Sequence, residues 1–491
     1  MLRPLIMATV AATLLAGCSG GDSKSTDQPS ASDGTPSASS TPTGPDLATF
    51  DPPKAFAPVS ALAQGNTGQS NMFSIAAGMV GEASLYALRS GLTARTLSAN
   101  SWEVPASDVP TTTTNDFIAP LAVQVNGKEA VATAYTQIVQ GSGTQKSHGQ
   151  VTVQWIDPSE GDVLATAVAD LSTLLGPGNS GADFYRPAYD AATGQIAVGV
   201  TVSSPDRSAK IREFTVFADP ATKKATTIPD IRAAGVLNGT IVAAKGQVGE
   251  GVSTNQIVQV DALTGAVKKT VPVPAINYLS GQGSGGKHAY FTGTGYVKDH
   301  YISSFYAVDI ATGAVVESKL PDSKERTDGG ACFSDHVAAV VCNRPINGQK
   351  GIVGFDDSTG QVAWKYDATA NRIVPEVTAI YNGMVYGTAD EQAILLDAKT
   401  GQDVAVPSAT PSEGATPTEG STPTEGSTPT DSGAPTYGSG NLGGWGDTSL
   451  IYGEPKSPAM VSKYGSVYLL DPGNKAPRNT EKVLVVSKAV G

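Results

Sequence analysis

Short apolar runs rich in β-branched and aromatic residues recur along the chain between turn signals, as in Met384-Val385-Tyr386-Gly387-Thr388. Such runs predict β-strands, and no stretch carries the three-to-four spacing of an amphipathic helix. The predicted class is all-β. One longer pattern overlies the strands: an apolar run, an Asp, a few residues, a Gly, and a second apolar run. It reads Ile257-Val258-Gln259-Val260-Asp261-Ala262-Leu263-Thr264-Gly265 and returns in the strings ending Asp309 to Gly313, Asp356 to Gly360 and Asp397 to Gly401. The four glycines stand 48, 47 and 41 residues apart. Weaker copies lie at Asp157 to Gly161 and Asp219 to Thr222.

Fixed turn chemistry returning every 40–50 residues is the signature of propeller blades. An Asp side chain accepts bonds from backbone N–H groups just ahead of it, and Gly takes the positive φ that closes the hairpin. Asn382-Gly383 marks a further hairpin upstream of one such corner. Turns are expected near Gly91, Gly161, Ala221, Gly265, Gly313, Gly360 and Gly401. An eighth unit follows, because Lys463-Tyr464-Gly465-Ser466-Val467-Tyr468 mirrors Tyr381-Asn382-Gly383-Met384-Val385-Tyr386. This last unit lacks an outer strand, which Phe56 to Leu62 can supply and so close the ring. Closure removes exposed sheet edges. The expected architecture is an eight-bladed β-propeller of four-stranded antiparallel blades, with seven blades as the alternative.

The corner resembles the pyrroloquinoline-quinone-like (PQQ-like) repeat, roughly A-x-D-x-x-T-G-x-x-x-W. Asp356 to Trp364 fits best, with Gly354 where the family has Ala. The copies at Asp261, Asp309 and Asp397 keep the Asp, Thr and Gly but not the tryptophan. The resemblance implies that Trp364 stacks between blades and that Asp261, Gly265, Asp309, Gly313, Asp356, Gly360, Asp397 and Gly401 are structural corner residues. It is a blade-packing resemblance. The family's quinone dehydrogenases carry adjacent cysteines and a calcium-ligand cluster, neither of which is recognisable here, so no cofactor, metal site or catalytic residue is expected.

Composition changes the picture at the ends of the chain and in one insert. Residues 1–17 have a basic start, an apolar run and small residues before Cys18, the form of an export signal. Leu15-Ala16-Gly17-Cys18 resembles the bacterial lipobox, which implies lipid attachment at Cys18 and an anchored, extracytoplasmic chain. Residues 18–49 are Ser, Thr, Gly and Pro with few apolar positions and read as a disordered tether. The propeller is expected over 50–491, interrupted at 408–444 by a Thr/Pro/Glu/Gly-rich insert read as disordered. The formal net charge of −12 argues against nucleic acid, which needs a basic surface.

Cys332 and Cys342 are the two cysteines left in an exported chain and are expected to pair. They are symmetric about Val337, so a wide loop centred there sets them opposite each other, whereas a two-residue turn at Asp335-His336 does not. His288 and His300 are expected as surface loop residues, with a place facing the propeller channel as the alternative, and His336 stands alone in the sequence. The run Gly281 to Gly286 lacks a following Lys-Ser/Thr pair and is expected as a flexible hairpin rather than a phosphate loop. The expectation for function is a non-catalytic binding or scaffold propeller, held on the extracytoplasmic face of the membrane by the Cys18 lipid and engaging a protein partner in the envelope. The alternative is an extracytoplasmic enzyme or sensor with a small-molecule or quinone site in the channel.

Overall fold

The computed structural model describes residues 47–57, 61–64, 76–88, 90–106, 112–144, 147–172, 182–184, 187–202, 212–245, 256–324, 330–346, 349–367, 372–405, 457–470 and 483–491. The signal segment 1–17, Cys18, nearly all of the tether and the 408–444 insert lie outside them. Leu47 to Gly491 forms one compact unit.

Every described element is a strand, and the strands form eight antiparallel sheets. Blade 1 runs Ala77–Val80, Ala83–Leu88, Gly91–Thr96 and Ser101–Pro105 from axis to rim. Blade 2 has an inner strand in two pieces, Thr112–Phe117 and Leu121–Val125, both paired to Lys128–Val139, then His148–Ile156 and Val163–Asp170. Blade 3 is likewise split, Ala182–Phe184 and Ala188–Tyr189 pairing with Ile196–Val202, followed by Arg212–Asp219 and Lys224–Pro229. Blade 4 comprises Ile231–Leu237, Thr240–Lys245, Gln256–Asp261 and Val267–Pro272. Blade 5 comprises Tyr278–Ser284, His288–Val297, His300–Asp309 and Val315–Lys319. Blade 6 comprises Ala331–Ser334, Ala339–Asn343, Ile352–Asp356 and Gln361–Tyr366. Blade 7 shows Glu376–Tyr381, Met384–Ala389 and Gln392–Asp397 among the described residues.

Blade 8 joins the two ends of the body. Its order from the axis is Met460–Ser462, Gly465–Leu470, Val483–Lys488 and then Ala61–Gln64. The N-terminal strand pairs Ala61 with Val486 and Gln64 with Val483, and an isolated bridge joins Phe56 to Ala489. Its innermost strand packs against those of blades 1 and 7, so the ring is closed. The protein is an eight-bladed β-propeller. The closing strand falls close to the stretch expected from the sequence, and seven blades are ruled out.

Alternating strands send apolar side chains into the spaces between blades. Trp155, Val198 and Phe214 fill the space between blades 2 and 3, and Phe291, Ile257 and Leu279 that between blades 4 and 5. Phe355 of blade 6 lies 5.1 Å from Tyr290 and 5.2 Å from Phe305 of blade 5, ring centre to ring centre. Each fully buried ring of this kind contributes roughly 1.5–3 kcal/mol. Near the axis the blades converge, and small residues are required. A Cβ at Gly235 would lie 2.7 Å from the Ala289 methyl, and one at Gly281 2.8 Å from that of Ala234. The run Gly281 to Gly286 is therefore largely the tight innermost strand of blade 5, not a flexible hairpin.

One turn differs from expectation. Gly91 begins the third strand of blade 1, and the outer corner of that blade lies further on, between Thr96 and Ser101. There Thr96 replaces Asp, its Oγ1 accepting the Asn100 N–H at 3.0 Å, and Ala99 takes the positive φ of 72°.

Candidate functional site

In each four-stranded meander the first-to-second and third-to-fourth turns fall on one face. That corner face carries the Asp-Gly corners at the rim and the inner hairpins at the axis.

At the rim, Asp261 Oδ1 accepts the Leu263 N–H, the Thr264 N–H and the Thr264 hydroxyl at 3.2, 3.0 and 2.9 Å, and Gly265 closes the hairpin at φ 71°. Asp309 binds the N–H and hydroxyl of Thr312, and Asp397 those of Thr400. Asp356 uses Ser358 instead, at 2.9 and 2.7 Å. The Thr264 hydroxyl and amide hold the Asp261 carboxyl down to about 2, and the Ser358 hydroxyl and amide likewise lower Asp356. Each corner carboxylate thus faces its own backbone, an arrangement suited to holding a turn.

Trp364 of blade 6 donates its indole N–H to the Ala398 carbonyl of blade 7 at 2.8 Å and covers Gly401, where a Cβ would stand 2.6 Å from the ring. Gly354, its cross-strand partner, lies directly under the same ring. Trp102 of blade 1 docks identically on blade 2, with 3.0 Å to the Pro158 carbonyl and its ring over Gly161. Sequence reading missed Trp102 because its own corner has neither Asp nor Gly. Between blades 4 and 5 the place is taken by Lys269, whose stem covers Gly313 and whose ammonium donates to the Gly313 carbonyl at 2.7 Å.

Cys332 and Cys342 are cross-strand partners joined by a disulfide in the two inner strands of blade 6. Ser334 pairs with Val340, so the loop is centred on Val337 as expected.

The axis carries turns of a different kind. Asp190-Ala191-Ala192-Thr193-Gly194 matches the corner motif but forms the inner hairpin of blade 3, with the Gly194 N–H on the Asp190 carbonyl at 2.9 Å. Asp190 Oδ1 accepts the Ala192 N–H at 3.1 Å, and its Oδ2 the Asn238 N–H of blade 4, also at 3.1 Å. Asp335 of blade 6 similarly holds Val337 and Ala338 N–H through Oδ1 and the Gly383 N–H of blade 7 through Oδ2 at 2.8 Å. Asp357 of blade 6 reaches back to blade 5, accepting the Lys287 N–H at 2.8 Å, the His288 N–H at 3.2 Å and the Tyr290 hydroxyl at 2.9 Å. Gly285 lies against this carboxylate with no space for a side chain. His288, expected at the surface, is buried, its Nδ1 2.6 Å from the Asp357 carbonyl. His300 sits at the tip of the long blade 5 hairpin, 3.2 Å from Asp322.

Tyr189, next to Asp190, packs its ring on His336 with centroids 4.1 Å apart. The first belongs to blade 3 and the second to blade 6, so the contact crosses the axial channel. His336 holds φ 53°, with its N–H on Ser334 Oγ at 2.9 Å. Burial pushes its imidazole down to about 4, against the opposing pull of Asp335, Asp357 and Asp190 and of the Gly285 carbonyl. The ring is neutral at neutral pH. Burial raises the Tyr189 phenol far above its ordinary value. Among the described residues, no group of three or more His, Cys, Asp or Glu is placed to hold a metal ion.

The opposite face carries the second-to-third hairpins and the links between blades. Tyr278 and Tyr296 of blade 5 are exposed there, and Tyr301 lies 4.9 Å from Tyr296. Clefts of about 730 and 650 Å³ open between blades 4 and 5 and between blades 6 and 7.

Closure, blade count and corner chemistry define the class of this protein as a closed eight-bladed propeller. No family model and no curated protein matches the chain. Among solved structures, an uncharacterized protein from Listeria monocytogenes EGD-e is similar over 74% of this chain and 100% of its own, at 9% identity and a TM-score of 0.37. The β-propeller domain of the trilobed protease from Pyrococcus furiosus is similar over 59% and 81%, at 11% identity and 0.31. Kuenenia stuttgartiensis hydrazine synthase is similar over 68% and 99%, at 12% identity and 0.34. These are distant likenesses, and the architecture rests on the sheets themselves.

Proposed function

We propose that this chain is a lipid-anchored, extracytoplasmic propeller of the PQQ-like repeat type that binds a protein partner in the cell envelope without catalysing a reaction. The observation that carries this reading is the state of the axial mouth. Asp190 and Asp335 of the inner hairpins, with Asp357 reaching in from the blade 6 corner, hold backbone N–H groups of adjoining blades. The Tyr189 and His336 rings pack against each other at that mouth. Binding capacity is left on the opposite face, with its exposed tyrosines and clefts.

The entry of the chain supports the orientation. Phe50 N–H binds the Lys463 carbonyl at 2.9 Å, the Asn382 amide donates to Asp51 Oδ1 at 2.7 Å, and the Tyr386 hydroxyl donates to the Pro53 carbonyl at 2.6 Å. These contacts fix residues 50–53 to blades 7 and 8 on the corner face. A chain held by lipid at Cys18 then joins the body on that corner face, on the side away from the clefts.

The test is fractionation of the Cys18→Ala variant together with native mass spectrometry of the wild type. The reading expects the wild type in the membrane fraction with acyl mass, the variant released, and neither a quinone nor a metal ion retained. A quinone or metal ion retained by the wild type at one equivalent favours the channel-site enzyme or sensor and overturns the reading.

A further inference from the structure

Blades 2, 4 and 6 share a β-bulge between their third and fourth strands that blade 5 lacks. In blade 4 the register shifts between Gln259 and Val260, in blade 6 between Gly354 and Phe355, and in blade 2 between Val163 and Ala165. In blade 5 the pairing runs without a shift, Val308 with Val315, Ala307 with Val316 and Tyr306 with Glu317. A one-residue difference in register sends a side chain to the other face of the sheet. Four residues after the corner glycine, Lys269 and Trp364 turn toward the following blade. The equivalent residue of blade 5, Glu317, turns back toward blade 4.

That reversal puts a carboxylate in the cleft of about 730 Å³ between blades 4 and 5, a volume typical of ligand sites. One wall is apolar chain from Val271 through Pro274 to Ile276, and the other carries Ile302 and Leu320. The Ser304 and Tyr306 hydroxyls both reach Glu317 Oε1, at 2.8 and 3.3 Å, and both residues are buried. Burial, with Glu317 adding to it, pushes the Tyr306 phenol up to about 12, so it remains a donor across the physiological range. Two donors on one oxygen orient the carboxylate. Of the charged residues lining the cleft, Asp322 at the mouth offsets Lys319, which leaves Glu317 as the unbalanced charge.

We propose that this cleft binds an organic cation with an apolar body, with Glu317 as counter-ion and Ser304 and Tyr306 as its positioning residues. A free alkylamine and a basic side chain on a partner segment share this chemistry. The proposal rests on the binding reading above and names where on the propeller the ligand is taken.

The experiment is isothermal titration of the full chain with n-hexylammonium, with n-hexanol as the uncharged control, and with the acetylated, amidated peptide VPRPV. The wild type is expected to bind at least one of the cations at least tenfold more tightly than hexanol. Glu317→Gln is expected to lose at least tenfold in cation affinity while leaving hexanol and the thermal midpoint unchanged, and Tyr306→Phe to lose less. A peptide at least tenfold tighter than hexylammonium identifies a partner's basic side chain, and the converse identifies a free amine. Equal binding of hexanol, or Glu317→Gln binding as wild type, overturns the proposal. Where the peptide is the tighter ligand, an envelope partner still captured by Glu317→Gln refutes the cleft as the partner's seat and leaves the broader reading standing, whereas absence of any partner in wild type and variant refutes the broader reading.

Discussion

Tyr189 and His336 touch ring to ring at 4.1 Å although two whole blades separate theirs around the ring. The contact makes the axis a packed region at its corner-face mouth. It also places a histidine of depressed pKa among three carboxylates that are already hydrogen-bonded to backbone.

Stability should therefore depend on pH through His336. Its pKa is about 4 in the fold against an ordinary 6.5. Between those values the unfolded chain takes up a proton that the folded chain refuses. Stability is full above pH 6.5, falls as pH is lowered through the window, and levels off below about 4. At about 1.4 kcal/mol per pH unit the contribution is at most about 3.5 kcal/mol, less where channel water screens the ring. His336→Asn keeps a residue that tolerates positive φ and should flatten this part of the profile in urea titrations at pH 4.5 and 7. An unchanged slope would refute it.

Docking of Trp364 on blade 7 should be worth more than its area alone, because Gly401 is shaped to receive it. Trp364→Ala is expected to lower unfolding free energy by about 3 kcal/mol or more. Gly401→Ala, at φ 69° and under the ring, should destabilise by more than about 1 kcal/mol. Trp102→Ala should behave as Trp364→Ala does. Chemical denaturation followed by tryptophan fluorescence and circular dichroism measures each.

The sequence made the rim of the wheel readable and left the hub obscure, for a physical reason. Asp-x-x-Thr-Gly chemistry specifies a hairpin wherever it occurs, so Asp261, Asp309, Asp356 and Asp397 identified blade corners. The same chemistry at Asp190 to Gly194 made an inner hairpin, because local turn preference does not say which pair of strands it joins. Thr96 and Ala99 built an equivalent corner from other residues, which hid Trp102. His288 is buried through a carboxylate 69 residues away. Glu317 faces its cleft because a bulge is missing, a property of hydrogen-bond register that residue identity does not display.

The disulfide of blade 6 closes a loop with a sequence separation of 10. Chain-entropy reasoning gives about 3 kcal/mol for such a loop. The double variant Cys332→Ala with Cys342→Ala is expected to lose about that much, and reduction of the wild type to reproduce the loss. Cys342 is buried beside Val340 and Phe355, so the reaction with reductant should be slow until the protein opens. A thermal midpoint insensitive to reductant at equilibrium would contradict this.

Partner binding on the face away from the corners is the central claim, and photo-crosslinking in intact cells tests it most directly. A photoreactive residue replaces Tyr296 on the cleft face or Thr264 on the corner face, both exposed. The account predicts a discrete protein adduct from position 296 and none from 264. Adducts from 264 alone, or none from either in cells where the wild type holds a stoichiometric small molecule, would contradict it.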